Sequence, residues 1–378
     1  MGPEAQPLRL GCISEGVLGH TTLQRQLIEL LGERADVNPW FASVPPPSRL
    51  ARLLLRRSRA LGDLDLFDLR WRLRWSLEAR RLATQRLDAT DVLLMNTQAC
   101  ALLSVSVFRR LPTLLSLDAT SLQFAKLAYR PRDRYSPVGE KLSFLLERRA
   151  LRAAAGAVAW TEWTARSLRG DYGLDESRVE VIHPGLDAER FLALPRATRA
   201  HGRPGRLLFV GGETARKGLD VLLESLPRLE QPVELDVVTS VDDVAEREGL
   251  RVHSEVTPSS DAIMKLLAEA DIFVLPTRAD VAPWAVLEAM AAGLPVVTTT
   301  VGVIPELLGD AGLMVAPGHQ EALAAALAGL VSDPELRQTL GQLGRRRVAE
   351  HYDARRQLPR LLDALSSAAA SRRRAISP

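Results

Sequence analysis

Residues 280–295, DVAPWAVLEAMAAGLP, carry two carboxylates, Asp280 and Glu288, with seven residues between them. Just upstream, the apolar run IFVL at 272–275 followed by Pro276 reads as a buried parallel strand. Glu288 falls inside the helical pattern that comes next. The turn bearing Asp280 is therefore expected at the carboxyl end of a strand, where open α/β sheets bind their ligands. The following helix directs free backbone N–H groups at the same place, which suits a phosphate. Two acids around a strand, a loop and a helix also occur as a solvated surface feature, so the pair alone distinguishes little.

Outward from this segment the same unit recurs. Short apolar runs at 8–14, 92–95, 113–117, 157–160 and 179–182 read as strands of a first half, separated by helix-length patterns. His183-Pro184-Gly185 breaks the chain, and the polar, turn-forming stretch around Pro195 and 201–205 reads as a linker. Runs at 206–210, 235–239, 251–253, 271–275 and 295–299 give a second half of the same kind. Such alternation argues for an α/β protein with parallel sheets and helices on both faces. At 378 residues the chain exceeds what one hydrophobic core usually supports, so two domains are expected.

A second constellation is FVGGETARKG at 209–218. Gly211 and Gly212 directly after a strand let the backbone approach a ligand, and Arg216 with Lys217 offer the positive charge that a departing diphosphate needs. A glycine turn with a solvated basic pair fits the same residues.

Taken together, these strings resemble retaining, nucleotide-sugar-dependent glycosyltransferases of family 4, whose signature is an acidic residue, seven others, then Glu-Ala-Met-Ala-x-Gly-x-Pro. The resemblance spans nearly the whole chain and is most specific in the second half. It implies a GT-B type fold, two Rossmann-like domains facing a central cleft, with residues 1–186 on the acceptor side and 187–352 binding the nucleotide sugar. A last helix and tail, 353–378, cross back to the first domain. It implies that Asp280 contacts the transferred sugar and Glu288 the ribose, and that Lys217 contacts the donor phosphates. Asp280 stands where the commonest pattern has Glu, one methylene shorter. Many members carry Arg directly after the first glycine of the strand end. Gly212 stands there in this chain, leaving Arg216 to supply the second charge. Pro283, Trp284, Ala285 and Val286 would complete the phosphate site with their backbone.

In the first half, Gly16, Gly19 and His20 follow the first strand and resemble the glycine loop that lies against donor phosphates in this family; an N-cap turn with a partly exposed histidine is the plainer reading. Asp118, after another strand, stands where many relatives carry a His near the reacting sugar. It is a candidate for touching sugar or acceptor, and helix capping is its simpler role. The remaining histidines lack the partners of a nucleophilic triad.

Composition bounds the partners. Apolar residues make up 46% and charged residues 25%, with a net charge of +3, as in an ordinary globular protein. The two cysteines, Cys12 and Cys100, suggest a reducing compartment without a disulfide framework. No signal-peptide pattern or apolar run of membrane-spanning length stands out, so a cytoplasmic location is expected. Asp63-Leu64-Asp65 spells a DxD, but among arginines in a helical pattern, so no metal site is expected. Arginines alternate with Leu and Trp across 49–75. This suits peripheral contact with an anionic inner membrane face, or helices packed with their arginines toward water or acidic neighbours. Nucleic acid is not an expected partner.

The sequence thus predicts a retaining, metal-independent glycosyltransferase. It would use a nucleotide-diphosphate sugar as co-substrate, no further cofactor, and an acceptor hydroxyl on a glycan, lipid or small molecule in glycan, glycolipid or glycoconjugate biosynthesis. A nucleotide-sugar epimerase or hydrolase on the same fold, or a non-catalytic nucleotide- or membrane-binding module, are the alternatives.

Overall fold

The computed structural model describes residues 6–16, 19–56, 65–127, 136–195, 203–241, 244–246, 248–257 and 260–376. The chain divides into two compact units, Met1–Pro184 with Gln357–Pro378, and Gly185–Arg356.

The first unit is built on a six-stranded parallel sheet of β1 (Leu8–Ser14), β2 (Val37–Ser43), β3 (Val92–Asn96), β4 (Thr113–Leu117), β5 (Gly156–Ala159) and β6 (Val179–Val181), in the order β2-β1-β3-β4-β5-β6. The second holds β7 (Gly205–Val210), β8 (Val233–Val238), β9 (Leu250–His253), β10 (Ile272–Leu275), β11 (Val296–Thr299) and β12 (Gly312–Val315), in the order β12-β11-β10-β7-β8-β9. All pairings are parallel. The interior strands are continuous apolar runs because helices cover both faces. Leu207, Leu208, Phe209 and all of Ile272–Leu275 have no exposed surface. In the first unit Ile13, Leu93, Met95, Leu115 and Leu117 fill the equivalent core.

The four edge strands lack the pattern of the interior ones. β2 contains Pro39 and buries only Val37 fully, while β6 buries only Val179, β9 only Leu250 and β12 only Val315. Proline and half-exposed side chains are tolerated at an edge.

In each sheet the strand order reverses direction once. The reversal lies between β1 and β3 in the first unit and between β7 and β10 in the second. The crevice beyond the carboxyl ends of strands at such a switch point is where doubly wound sheets take ligands.

The basic segment has two fates. Arg49, Arg52 and Leu53 are exposed on the helix Arg49–Leu54. In the helix Phe67–Thr84, by contrast, the arginines turn inward onto the chain. Arg70 donates to Asp65 at 2.8 Å, Arg72 to Ser121 Oγ at 2.5 Å and Arg74 to the Pro45 carbonyl at 2.6 Å. Trp71 meets Phe67 edge-on and Trp75 at a tilt. Of the Asp63-Leu64-Asp65 string, Asp63 and Leu64 lie outside the described residues, as do 57–59 of the basic run. No helix among the described residues is long and apolar enough to cross a membrane.

Candidate functional site

The switch point of the second sheet is made by the segments following β7 and β10. After Val210 come Gly211 and Gly212, a single helical turn Thr214–Lys217, then Gly218 and the helix Leu219–Ser225. Gly218 has φ +78°, and a Cβ there would stand 2.0 Å from the Pro276 carbonyl oxygen, so only glycine lets the two segments meet so closely.

A lattice of hydrogen bonds then ties 215–220 to 277–280. The Arg278 amide donates to the Arg216 carbonyl at 2.8 Å, and Thr277 Oγ1 reaches the same carbonyl at 3.2 Å. Arg216 Nη1 donates to the Ala279 carbonyl at 2.8 Å, while its Nε pairs with Glu213 at 2.9 Å. Arg278 forms a two-pronged pair with Asp220, both contacts at 2.6 Å, a geometry that fixes orientation as well as charge.

At the centre, Lys217 Nζ donates to Asp280 Oδ2 at 2.5 Å. The Asp280 side chain is 4% exposed and that of Lys217 16%. The other carboxylate oxygen of Asp280 accepts from the Val281 amide at 3.0 Å. Gly211 packs under the lysine stem, where a Cβ would fall 2.9 Å from Lys217 Cγ, and Gly212 lies beside Ser240. Lys217, Asp280, Arg216 and Gly211 are thus brought together from positions more than sixty residues apart in the sequence.

Pro283 caps the helix Trp284–Ala291, whose first turn holds Trp284, Ala285 and Val286. Two of those amides have local acceptors: Trp284 N donates to the Ala282 carbonyl and Val286 N to that of Pro283, both at 2.9 Å. Glu288 is half-buried one turn further along the helix. Thr277 and Arg278, which help hold this site in shape, carry no signal in the sequence, because their roles exist only across the two loops.

The switch point of the first sheet gathers another set. His20, in the opening turn of the helix Gly19–Gly32, is buried rather than partly exposed, and its ring meets Trp160 edge-on at 5.4 Å. Its Nδ1 is 3.0 Å from Glu15 Oε1 and its Nε2 3.3 Å from Asp118 Oδ2. Burial works against a charge on the ring, but the carboxylates of Asp118 and Glu15 outweigh it and raise the His20 pKa to about 10. Thr97 Oγ1 donates to Glu15 Oε2 at 2.8 Å. Thr97 has φ +77°, a conformation that costs a threonine on the order of 1–3 kcal/mol.

Asp118 does not cap the following helix. Thr120 does, in a reciprocal capping box with Gln123, and Asp118 accepts instead from the Ala119 amide at 2.8 Å. Gly16 takes φ +71°, while Gly19 already belongs to the helix. Glu15, Thr97 and Gln98 belong to this constellation although nothing in the sequence marked them. Cys12 and Cys100 are buried free thiols, and burial pushes Cys12 up to about 12. Among the described residues no group of three or more His, Cys, Asp or Glu side chains could hold a metal ion.

This arrangement can be set beside known proteins. Residues 204–333 match the model of glycosyl transferases group 1, and residues 22–190 that of glycosyltransferase family 4. An MMP alpha-(1->4)-mannosyltransferase from Mycolicibacterium hassiacum is 28% identical over 55% of this chain and 53% of its own length. A D-inositol 3-phosphate glycosyltransferase from Salinispora arenicola is 31% identical over 64% of this chain and 60% of its own. The matches thus span between about half and 60% of these curated relatives. Among solved structures, a sucrose-phosphate synthase from Thermosynechococcus elongatus superposes with a TM-score of 0.73 at 17% identity, over 96% of this chain and 100% of that one. HepE of Anabaena, solved with UDP and glucose, gives 0.66 at 14% identity, over 95% and 100%. These likenesses establish the GT-B type fold, and with the two family models they show that the chain belongs to the glycosyltransferases of group 1 and family 4.

Proposed function

We propose that the chain is a retaining, metal-independent glycosyltransferase that moves a sugar from a nucleotide-diphosphate sugar to an acceptor hydroxyl. The observation that carries this reading is the Lys217–Asp280 pair, a cation and a carboxylate held together at the switch point of the second sheet. Breaking a glycosyl phosphate bond builds negative charge on the departing nucleotide, and preorganised cations stabilise that charge as it forms. Lys217 meets it directly, with Arg216 adding positive potential from behind the turn. Gly211 and Gly212 admit the diphosphate close to the backbone, and the first turn from Pro283 through Trp284, Ala285 and Val286 presents the positive end of its helix. Asp280 takes a hydroxyl of the transferred sugar, and Glu288 takes the ribose. A nucleotide sugar as donor is supported by HepE, a structural neighbour that holds UDP and glucose.

The test is nucleotide release from UDP-, GDP- and ADP-linked sugars, with and without candidate acceptors. Wild type releases nucleotide and retains the anomeric configuration in its product. Lys217→Ala lowers the rate about a hundredfold or more, the usual cost of removing one donor to a developing oxyanion. Tight nucleotide binding with no turnover under any acceptor would instead identify a binding module, and release of nucleotide with free sugar as the sole sugar product, whatever acceptor is present, a hydrolase.

A further inference from the structure

Lys217 stands at the end of Thr214–Lys217, a single helical turn. Forming an isolated turn costs more backbone freedom than its first hydrogen bond offsets, so what grips the turn from outside decides where its last residue stands. Arg278 supplies that grip. Its Nη1 donates to the Ala215 carbonyl at 2.6 Å and its amide to the Arg216 carbonyl at 2.8 Å, on the two residues immediately before the lysine. Arg278 also precedes Asp280 by two positions, so the residue that holds the turn opens the loop carrying the lysine's partner.

Arg278 is itself held by Asp220, in the first turn of the helix Leu219–Ser225. The guanidinium uses Nη1 for both the Ala215 carbonyl and Asp220 Oδ1, and Nη2 for Oδ2, each at 2.6 Å. This planar fork fixes direction as well as distance, whereas a lysine ammonium would act as a point charge. Hydrogen bonding to Arg278 holds the Asp220 carboxyl below the ordinary carboxylate range, so the pair is charged at neutral pH. The two side chains are 40% and 50% exposed, and an ion pair so exposed adds little to stability. Its effect falls on the register of the two loops, not on the sheet behind them.

We propose that Asp220 and Arg278 are positioning residues for the transfer step, locking the turn 214–217 against the loop 277–280 so that Lys217 meets the departing diphosphate in register. The proposal rests on the glycosyltransferase reading. Both residues act through the backbone on either side of the Lys217–Asp280 pair. Displacing a group that stabilises a transition state by about 1 Å can cost on the order of a hundredfold in rate. The charge that Lys217 meets develops only as the bond breaks, so the loss falls on kcat and not on the KM for the donor.

Steady-state nucleotide release gives the first arm of the test. Arg278→Ala lowers kcat about tenfold or more, moves the donor KM less than about twofold and keeps the wild-type melting temperature. Asp220→Asn, equal in shape and still carrying an acceptor oxygen, lowers kcat less. Arg278→Lys restores charge without the fork and recovers only part of the rate, while guanidinium ion rescues Arg278→Ala better than ammonium at the same millimolar concentration. In a Lys217→Ala background Arg278→Ala costs no further rate, because nothing is left to position. The second arm needs no turnover: NMR on protein labelled at its lysine nitrogens. The chain has four lysines, Lys126, Lys141, Lys217 and Lys265, of which Lys217 is 16% exposed and the others lie open to water. Its ammonium signal is protected from exchange in wild type and loses that protection in Arg278→Ala. The proposal is overturned if Arg278→Ala turns over as wild type does, if both variants lose melting temperature in step with rate, if the Arg278→Ala and Lys217→Ala losses multiply, or if the Lys217 signal is unmoved. Should wild type release no nucleotide from any donor, the glycosyltransferase reading fails, and the NMR arm still decides whether the pair sets Lys217.

Discussion

At the scale of single residues, Gly218 shows how little freedom the second switch point has. Its positive φ and the carbonyl 2.0 Å from where a Cβ would stand leave no rotamer by which alanine could escape. Gly218→Ala is expected to cost more than about 2 kcal/mol, read as a lower urea midpoint with an unchanged m-value. His20 makes a prediction in pH. Its folded-state pKa, about 10, lies above the 6.5 of the unfolded chain, so the folded state holds the proton more tightly. The stability this contributes is fully present below about pH 6.5 and is lost as pH rises through about 10. The stability gap between wild type and His20→Gln should therefore shrink between pH 6.5 and 10 in denaturation series, and a constant gap would mean the ring is neutral throughout. Lys217 and Asp280 were legible as candidates because their strings are specific. The Glu15–His20–Asp118 arrangement was only half legible, since its members lie up to about a hundred positions apart and Glu15 was hidden among the glycines of its turn.

At the scale of elements, the strands that read clearly were those buried on both faces. IFVL at 272–275 and TLLSL at 113–117 need no alternation, because helices cover them above and below. The edge strand β2 was illegible for the opposite reason: Asn38, Pro39 and Ser43 break the apolar run that marks the interior. The basic segment at 49–75 was ambiguous by composition, and its second helix resolved toward packing, since a guanidinium can satisfy a carbonyl inside the fold as well as a headgroup outside it. Charge also ties strands together. Asp236 on β8 is 1% exposed and receives Arg206 from β7, with Arg251 at 3.1 Å and His253 at 2.8 Å from β9. Burial opposes its charge, but Arg206, His253 and Arg251 prevail and hold its pKa down to about 2. Removing one partner of such a buried network strands the others, so Asp236→Ala should cost about 3–5 kcal/mol by urea titration. Because the folded pKa lies below the ordinary carboxylate value, this stability is present above about pH 4 and drains away as pH falls toward 2.

At the scale of the whole molecule, the repetition of one parallel architecture was evident from the strand spacing, whereas the return of the chain to the first unit was expected only from the family resemblance, not from any residue pattern. The last helix, Ala354–Ile376, follows the second unit in sequence, yet residues from Gln357 onward belong with the first. Leu358, Leu362 and Leu365 on it are buried, and Arg360 Nη2 reaches the Val181 carbonyl at 2.9 Å. Truncation after Arg356 should lower the melting temperature and make Met1–Pro184 the first part cleaved in limited proteolysis, while Gly185–Arg356 stays resistant. The order of biosynthesis gives this threading a further meaning. Domains usually mature from the amino end as they leave the ribosome, but here the earlier-made unit stays incomplete until residues 357–376 emerge. Gly185–Arg356 can close before the unit whose sequence flanks it, so nascent chains stalled before residue 357 should engage chaperones through their amino-terminal half.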